Sequence, residues 1–298
     1  MFINSHAISN GVKTAGVTYS RLFTFCHPLN FARLTSSGPP SSNSKPGSFT
    51  YRYEMFISKW PRIYALHRMI ADGSRWCFSD VKTYVRLRRD LLTKRRNLEN
   101  FNLSELEVLV QMPTELPKVA ISTVLLPLPF GFYVVGFAII FFPRLVLTRH
   151  FWTDTQRNEF FRKEILRSMA ISSRLEEIIG NPKSIEDVRL PSLEELSGAM
   201  LVALARVYSM FPFPGIGRRF MLRCQTMRQL DKVLAESINS LTRRQLIFHL
   251  FVRRILITED ASDAEMRETL ADWIKFTNRL DDAAYLCAPI FFNKKKLT

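Results

Sequence analysis

The residues of this sequence best suited to chemistry are its arginines. Between Arg206 and Arg254 the chain carries ten basic residues against Asp231 and Glu236, a local charge of +8. Arg218, Arg219, Arg223 and Arg228 fall in one predicted helix, Arg243 and Arg244 open the next, and Arg253 and Arg254 follow. A guanidinium is a planar fork of donors that fits phosphate or carboxylate. Eight of them in this pattern point to docking on an anion by charge, without base reading. Arg243 and Arg244 sit just behind Thr242, where the helix macrodipole disfavours a cation by about 0.3–1 kcal/mol each, and an anion opposite would account for them. The following segment, Ile255 to Phe292, has three bases against eight acids. Ion pairing with Glu259 to Asp272 therefore competes for the same charge.

Other chemistry is hard to find. His6, His27, His67, His150 and His249 have no partner at metal-ligand spacing. Neither GxGxxG nor GxxxxGK[ST] occurs, and the Gly215-Ile216-Gly217 pair follows Pro214 rather than a strand. The acids of Glu259 to Asp272 lack the glycine that an EF-hand turn requires. Cys26, Cys77, Cys224 and Cys287 are scattered and form no CxxC pair. With no nucleophile beside a base, the sequence points away from an enzyme and implies no cofactor.

The elements that must position the arginines read as helices. Thr153 with Gln156, Ser192 with Glu195, Thr242 with Gln245, and Ser262 with Glu265 each form an S/T-x-x-E/Q capping box. Apolar stripes at 3–4 spacing run behind them. They are Leu196, Met200, Ala203, Leu204 and Val207; Phe220, Cys224, Met227, Leu230 and Leu234; and Met266, Leu270, Trp273, Ile274 and Thr277. An all-α bundle follows. Upstream, Val81 to Leu98 predicts a strongly basic helix and Leu103 to Leu116 a more acidic one.

The chain has 298 residues, a formal charge of +15 and 47% hydrophobic residues, which is ample for a core. Residues 1–50 predict a mitochondrial transit peptide and linker. No acid precedes Glu54, whereas five basic residues and fourteen Ser/Thr do. From Val119 to Pro143 no side chain is charged. These 25 residues exceed the roughly 20 that a bilayer-crossing helix needs, so a single transmembrane helix is expected, kinked by Pro127 and Pro129. Basic residues prevail after the span, with Arg144, Arg149, Arg157, Arg162 and Lys163, which places the C-terminal side in the matrix. The expected organisation is a basic helical region over 51–118, the span over 119–143, a helical domain over 144–282 and an apolar, basic tail over 283–298.

Several segments resemble a known family in order and type. They are Trp60-Pro61-Arg62-Ile63-Tyr64, the proline-broken span, and Phe142-Pro143-Arg144 followed by Arg149-His150-Phe151-Trp152-Thr153. Looser matches are Leu230-Asp231, Leu241-Thr242 with Leu246, Arg253, and Leu270 with Trp273-Ile274. The chain resembles the LETM domain family of mitochondrial inner-membrane proteins, in its shorter branch. That resemblance implies a matrix-facing, ribosome-binding-like helical domain. The implied partner is the mitochondrial ribosome, through RNA phosphates or ribosomal proteins; the basic helix before the span adds an inner membrane with anionic lipid, and assembly factors or a second copy are the partners of a scaffold reading. The alternative that it implies is cation/proton exchange, of potassium or calcium, but Gly131, Phe132, Tyr133 and Val134 follow Pro129-Phe130 where exchanger-type members carry an acid. Arg254 stands where the family usually has glycine, which predicts that the helix from Arg243 continues.

Overall fold

The computed structural model describes residues 52–297, less 53–54, 57, 126–129, 131–132, 135–136, 139–140, 142–147, 181, 183, 186–189, 213–214 and 259. The expected transit peptide, and much of the expected span, lie outside the described residues. Among those described there are eight α-helices and no strand. They are α1 (Pro61–Leu92), α2 (Leu103–Leu125), α3 (Asp154–Ile178), α4 (Gly198–Val207), α5 (Ile216–Ser237), α6 (Arg243–Val252), α7 (Asp263–Thr277) and α8 (Asp282–Leu297).

Three of the four predicted capping boxes form. In each of Thr153/Gln156, Thr242/Gln245 and Ser262/Glu265, the hydroxyl accepts from the backbone N–H three residues on, and the longer side chain reaches back. The fourth does not. Glu195 N–H donates to the Ser192 carbonyl in a turn, and α4 instead begins at Ser197, which accepts from Met200 N–H. The stripes behind the caps face inward as predicted, with only Ile274 partly exposed.

Helix α5 is the central element and packs on α2, α4, α7 and α8. The core runs through all of these. Leu87, Leu106 and Leu109 from the first two helices join Phe220, Leu230, Leu246 and Trp273 in one cluster. Two expected boundaries are thereby corrected. Residues 51–118 do not stand apart from 144–282, because the α1–α2 pair shares their core. Residues 283–298 are no tail, since Tyr285, Leu286, Cys287, Ala288 and Ile290 of α8 are buried and the Tyr208 hydroxyl donates to the Leu286 carbonyl at 2.8 Å.

The chain leaves this bundle near Lys118 and rejoins it at Thr148. The two ends meet. Arg149 N–H donates to Glu115 Oε2 at 3.4 Å, and Lys118 lies over the Trp152 ring at 5.4 Å. Arg149 Nη2 and His150 Nε2 both reach Asp80 Oδ2, at 2.9 and 3.0 Å, tying the return point to α1. Gly73 makes this approach possible. A Cβ there would stand 2.6 Å from the Phe151 ring and 3.0 Å from the His150 carbonyl oxygen. The expected single pass, with 51–118 and 144–282 on opposite faces of a membrane, does not agree with this packing. Among the described residues no helix is long and apolar enough to cross a bilayer.

Helix ends supply a further correction. The helix from Arg243 stops at Val252, and Arg254 adopts a φ of 58°. Arg254 N–H donates to the Phe251 carbonyl and Ile255 N–H to the Leu250 carbonyl, the paired bonds of a Schellman cap. The expected continuation fails because these bonds, with Ile255 buried, compensate for the left-handed residue. Ser209, at φ 53°, closes α4 in the same way. Left-handed backbone costs a non-glycine residue about 1–2 kcal/mol. Ser209 is exposed, so Ser209→Gly is expected to stabilise the fold by about 1 kcal/mol in denaturant titration.

Candidate anion-binding site

The eight candidate arginines separate into two groups once folded. Arg223, Arg253 and Arg254 are buried. Arg223 donates to the Val110 carbonyl at 3.2 Å and the Val252 carbonyl at 3.0 Å, so it ties α2 to the C-terminal end of α6. Burial pushes its guanidinium down to about 10, still charged at neutral pH. Arg253 bonds to Asp231, whose other oxygen accepts from the Tyr285 hydroxyl at 2.6 Å. Arg254 pairs with Glu164 at 3.1 Å and stacks on Phe251. Arg228 is partly buried, pairs with Asp282 at 2.6 Å and lies over Tyr285. These four hold helices together. As a surface for an external anion, they are corrected.

Arg218, Arg243 and Arg244 are exposed, and Arg219 is partly so while donating to the Phe211 carbonyl. The expected single basic face does not form from them. Arg218 and Arg219 open α5, whereas Arg243 and Arg244 follow its far end, roughly 30 Å away for a helix of this length. Arg243 is also engaged, with Asp263 at 2.6 Å and the Ala261 carbonyl at 3.1 Å, which is the predicted pairing with the acidic segment.

Each end of α5 gains new neighbours instead. At its start, Arg219 and the α1 residue Arg88 both act by charge on Tyr84, whose phenol burial raises above its ordinary value while they draw it back. Lys82, Arg86 and Arg89 are exposed along the same half of α1, at the i, i+4, i+7 spacing of one helix face.

At the other end, Arg244 joins two arginines that the sequence reading passed over. Arg149, Arg157 and Arg244 place their guanidinium carbons 5.5, 5.7 and 5.0 Å from the centre of the Trp76 ring. They line a cavity of about 280 Å³ with Phe248 below Arg149 and with Glu107 and Gln245 at its polar side. Thr153 caps α3 and so orients Arg157, which donates to Asp154 at 2.6 Å and to the Arg149 and Trp152 carbonyls. Burial, then Arg244 and Arg149, push the Arg157 guanidinium down to about 10 against the pull of Asp154. Burial alone would raise the Asp80 carboxyl, but His150 and Arg149 outweigh it and hold it below the usual range. Among the described residues no group of three or more His, Cys, Asp or Glu converges as a metal site. The arrangement presents three guanidiniums to one cavity. No local signal links residues 76, 149, 157 and 244, so only the fold could assemble them.

Comparison with known proteins agrees with the resemblance. The family model described as "LETM1-like, RBD" matches residues 101–190. The LETM1 domain-containing protein 1 of Homo sapiens is 24% identical over 281 residues, covering 80% of this chain and 77% of that protein. The protein of the same name from Xenopus tropicalis is 31% identical over 132 residues, covering 40% of this chain and 38% of that protein. That from Bos taurus is 22% identical over 270 residues, covering 78% and 75%. No solved structure matches the chain.

Beside the cavity, His249 is fully buried with Nε2 3.0 Å from Glu107 Oε1. Burial lowers its imidazole below the ordinary value, Glu107 opposing. An unfolded histidine titrates at about 6.5, so below that pH the unfolded chain takes up a proton that the folded chain resists. Stability should therefore fall as pH drops from about 6.5 toward the lowered folded value. Urea midpoints at neutral pH and at about pH 5.5 are expected to differ less in His249→Gln than in the native chain.

Proposed function

On the premise that the chain belongs with the LETM domain-containing proteins, we propose that it is a mitochondrial inner-membrane protein whose helical module docks the mitochondrial ribosome by charge. The observation that carries this reading is the exposed basic half of α1, where Lys82, Arg86 and Arg89 share one helix face. Arg218 and Arg219 of α5 add to it, and among the described residues these five lack the kind of carboxylate partner that engages Arg228 and Arg243. Arg86 is the exception, since it reaches Glu105 at 3.3 Å while still more than half exposed. Such a surface suits RNA phosphate. It holds a backbone without reading sequence.

The apolar run supports membrane attachment, and the meeting of its ends supports attachment from one side. Ile121, Val124, Phe130, Tyr133, Val134 and Phe137 are exposed large side chains. A run that enters lipid and returns has about half its residues for each direction, about 19 Å if helical, which is short of a core about 30 Å thick. The α1–α2 pair and the α3–α8 bundle, which share one core, then stand together on the matrix side. Attachment of this kind leaves the whole module beside the membrane where nascent inner-membrane proteins emerge.

Two measurements test these statements. Ribosome co-sedimentation of the full chain should weaken about a hundredfold between low and physiological salt if some four phosphates are contacted. Arg218→Glu with Arg219→Glu should cut binding well beyond Arg206→Glu, a change at an exposed arginine of α4; equal effects, or binding indifferent to salt, overturn the ribosome reading. For topology, single cysteines introduced at Arg75 and Lys275, both highly exposed, should react with an impermeant maleimide to the same extent in mitoplasts, and both should react fully once the membrane is opened. Labelling of one alone in sealed mitoplasts would restore a single pass.

A further inference from the structure

We infer that the cavity of Arg149, Arg157, Arg244 and Trp76 binds the phosphate diester of an anionic phospholipid headgroup. This rests on the reading that residues 119–143 enter lipid, and it names a ligand that the reading leaves open.

The cavity stands where such a headgroup would be. Arg149 follows Pro143, the last residue of the uncharged run, by six positions, and Lys118, the residue before that run, lies against Trp152. The foot of the run at Lys118 thus lies beside the turn that carries Arg149. Tryptophan and arginine are residues that favour the headgroup layer, one apolar with a polar edge and the other able to clasp phosphate oxygens in pairs.

The site is also short of acceptors. Arg149 is buried, its Nε has no hydrogen-bond partner, and its one carboxylate, Asp80, is shared with His150. Arg157 and Arg244 divide a single carboxylate, Asp154, at 2.6 and 3.8 Å, and that side chain is 78% exposed. Three guanidiniums gathered at one indole ring and set against Asp80 and Asp154 leave a positive charge that an anion in the cavity would balance. The remaining group at the wall, Glu107, faces His249 at 3.0 Å. Its charge opposes a second negative charge in the cavity, which favours a singly charged diester over a doubly charged free phosphate. Phe248 and Trp76 offer apolar walls to the glycerol carbons beside the phosphate.

The test uses the full chain in two arms. In the first, flotation with vesicles of pure phosphatidylcholine is compared with vesicles in which a minority of the lipid is phosphatidylglycerol. Arg244→Gln, at an exposed position that the core does not need, should lower the preference for the anionic vesicles about fivefold, whereas Arg206→Gln should leave it intact. Equal loss in both variants would mean general surface attraction and would overturn the site. In the second arm, soluble short-chain phosphatidylglycerol should raise the melting temperature of the native chain and not of Arg244→Gln. Inorganic phosphate, or a short single-stranded RNA, that reproduces this shift where the short-chain lipid does not would overturn the lipid assignment. Failure to float with either vesicle would sink the membrane reading alone, because the second arm reads the cavity without a bilayer.

Discussion

The closure of Asp80 on Arg149 and His150 is the interaction on which the rest of the structure depends. One carboxylate, buried on α1, receives a guanidinium and an imidazole from the short turn that follows the apolar run. Removing one partner from a buried ion pair strands the other and costs about 3–5 kcal/mol. The pair is local in space and remote in sequence, spanning 69 residues. It draws the two feet of the run together, orders Arg149 against Trp76, and so builds both the return of the chain and the wall of the cavity. Gly73, by allowing Phe151 to lie against α1, is the steric condition for it.

A second constraint explains why several arginines of a chain this basic are buried. Buried arginines act here as cross-braces. Arg223 spends its donors on carbonyls from α2 and α6, Arg253 on Asp231, and Arg254 on Glu164. Of these acceptors the Val252 carbonyl lies at the end of α6, where backbone carbonyls lack intrahelical partners. The charge that sequence assigns to a partner is thus partly used to satisfy the protein's own acceptors. What stays outside lies at the two ends of α5, beside α1 at one end and around Trp76 at the other.

Much of the bundle was legible because helices are local. Capping boxes at Thr153, Thr242 and Ser262 depend on residues three apart, and the stripe from Phe220 to Leu234 depends on a period of 3.6. Both survive folding unchanged. Ser192 misled because a capping box is the same four letters as a turn, and Ser197 offered the better cap once Leu193 and Leu196 were buried. Arg254 misled because a hydrogen-bonded pair of carbonyls and a buried Ile255 can hold an arginine in backbone that usually selects glycine.

By itself the sequence determined the all-helical character of the described residues, the starts of half of their helices, the inward stripes, an uncharged run of 25 residues and a resemblance to LETM domain proteins. Those properties are written in short spacings and in composition. Only the tertiary structure decided which arginines are braces and which are surface, that α1 and α2 share a core with α5, that the last helix belongs to that core, and that Trp76 collects Arg149, Arg157 and Arg244. The reason is physical. A guanidinium's role is set by the acceptors within about 3 Å of it, and those acceptors come from segments that the chain brings together only when it folds.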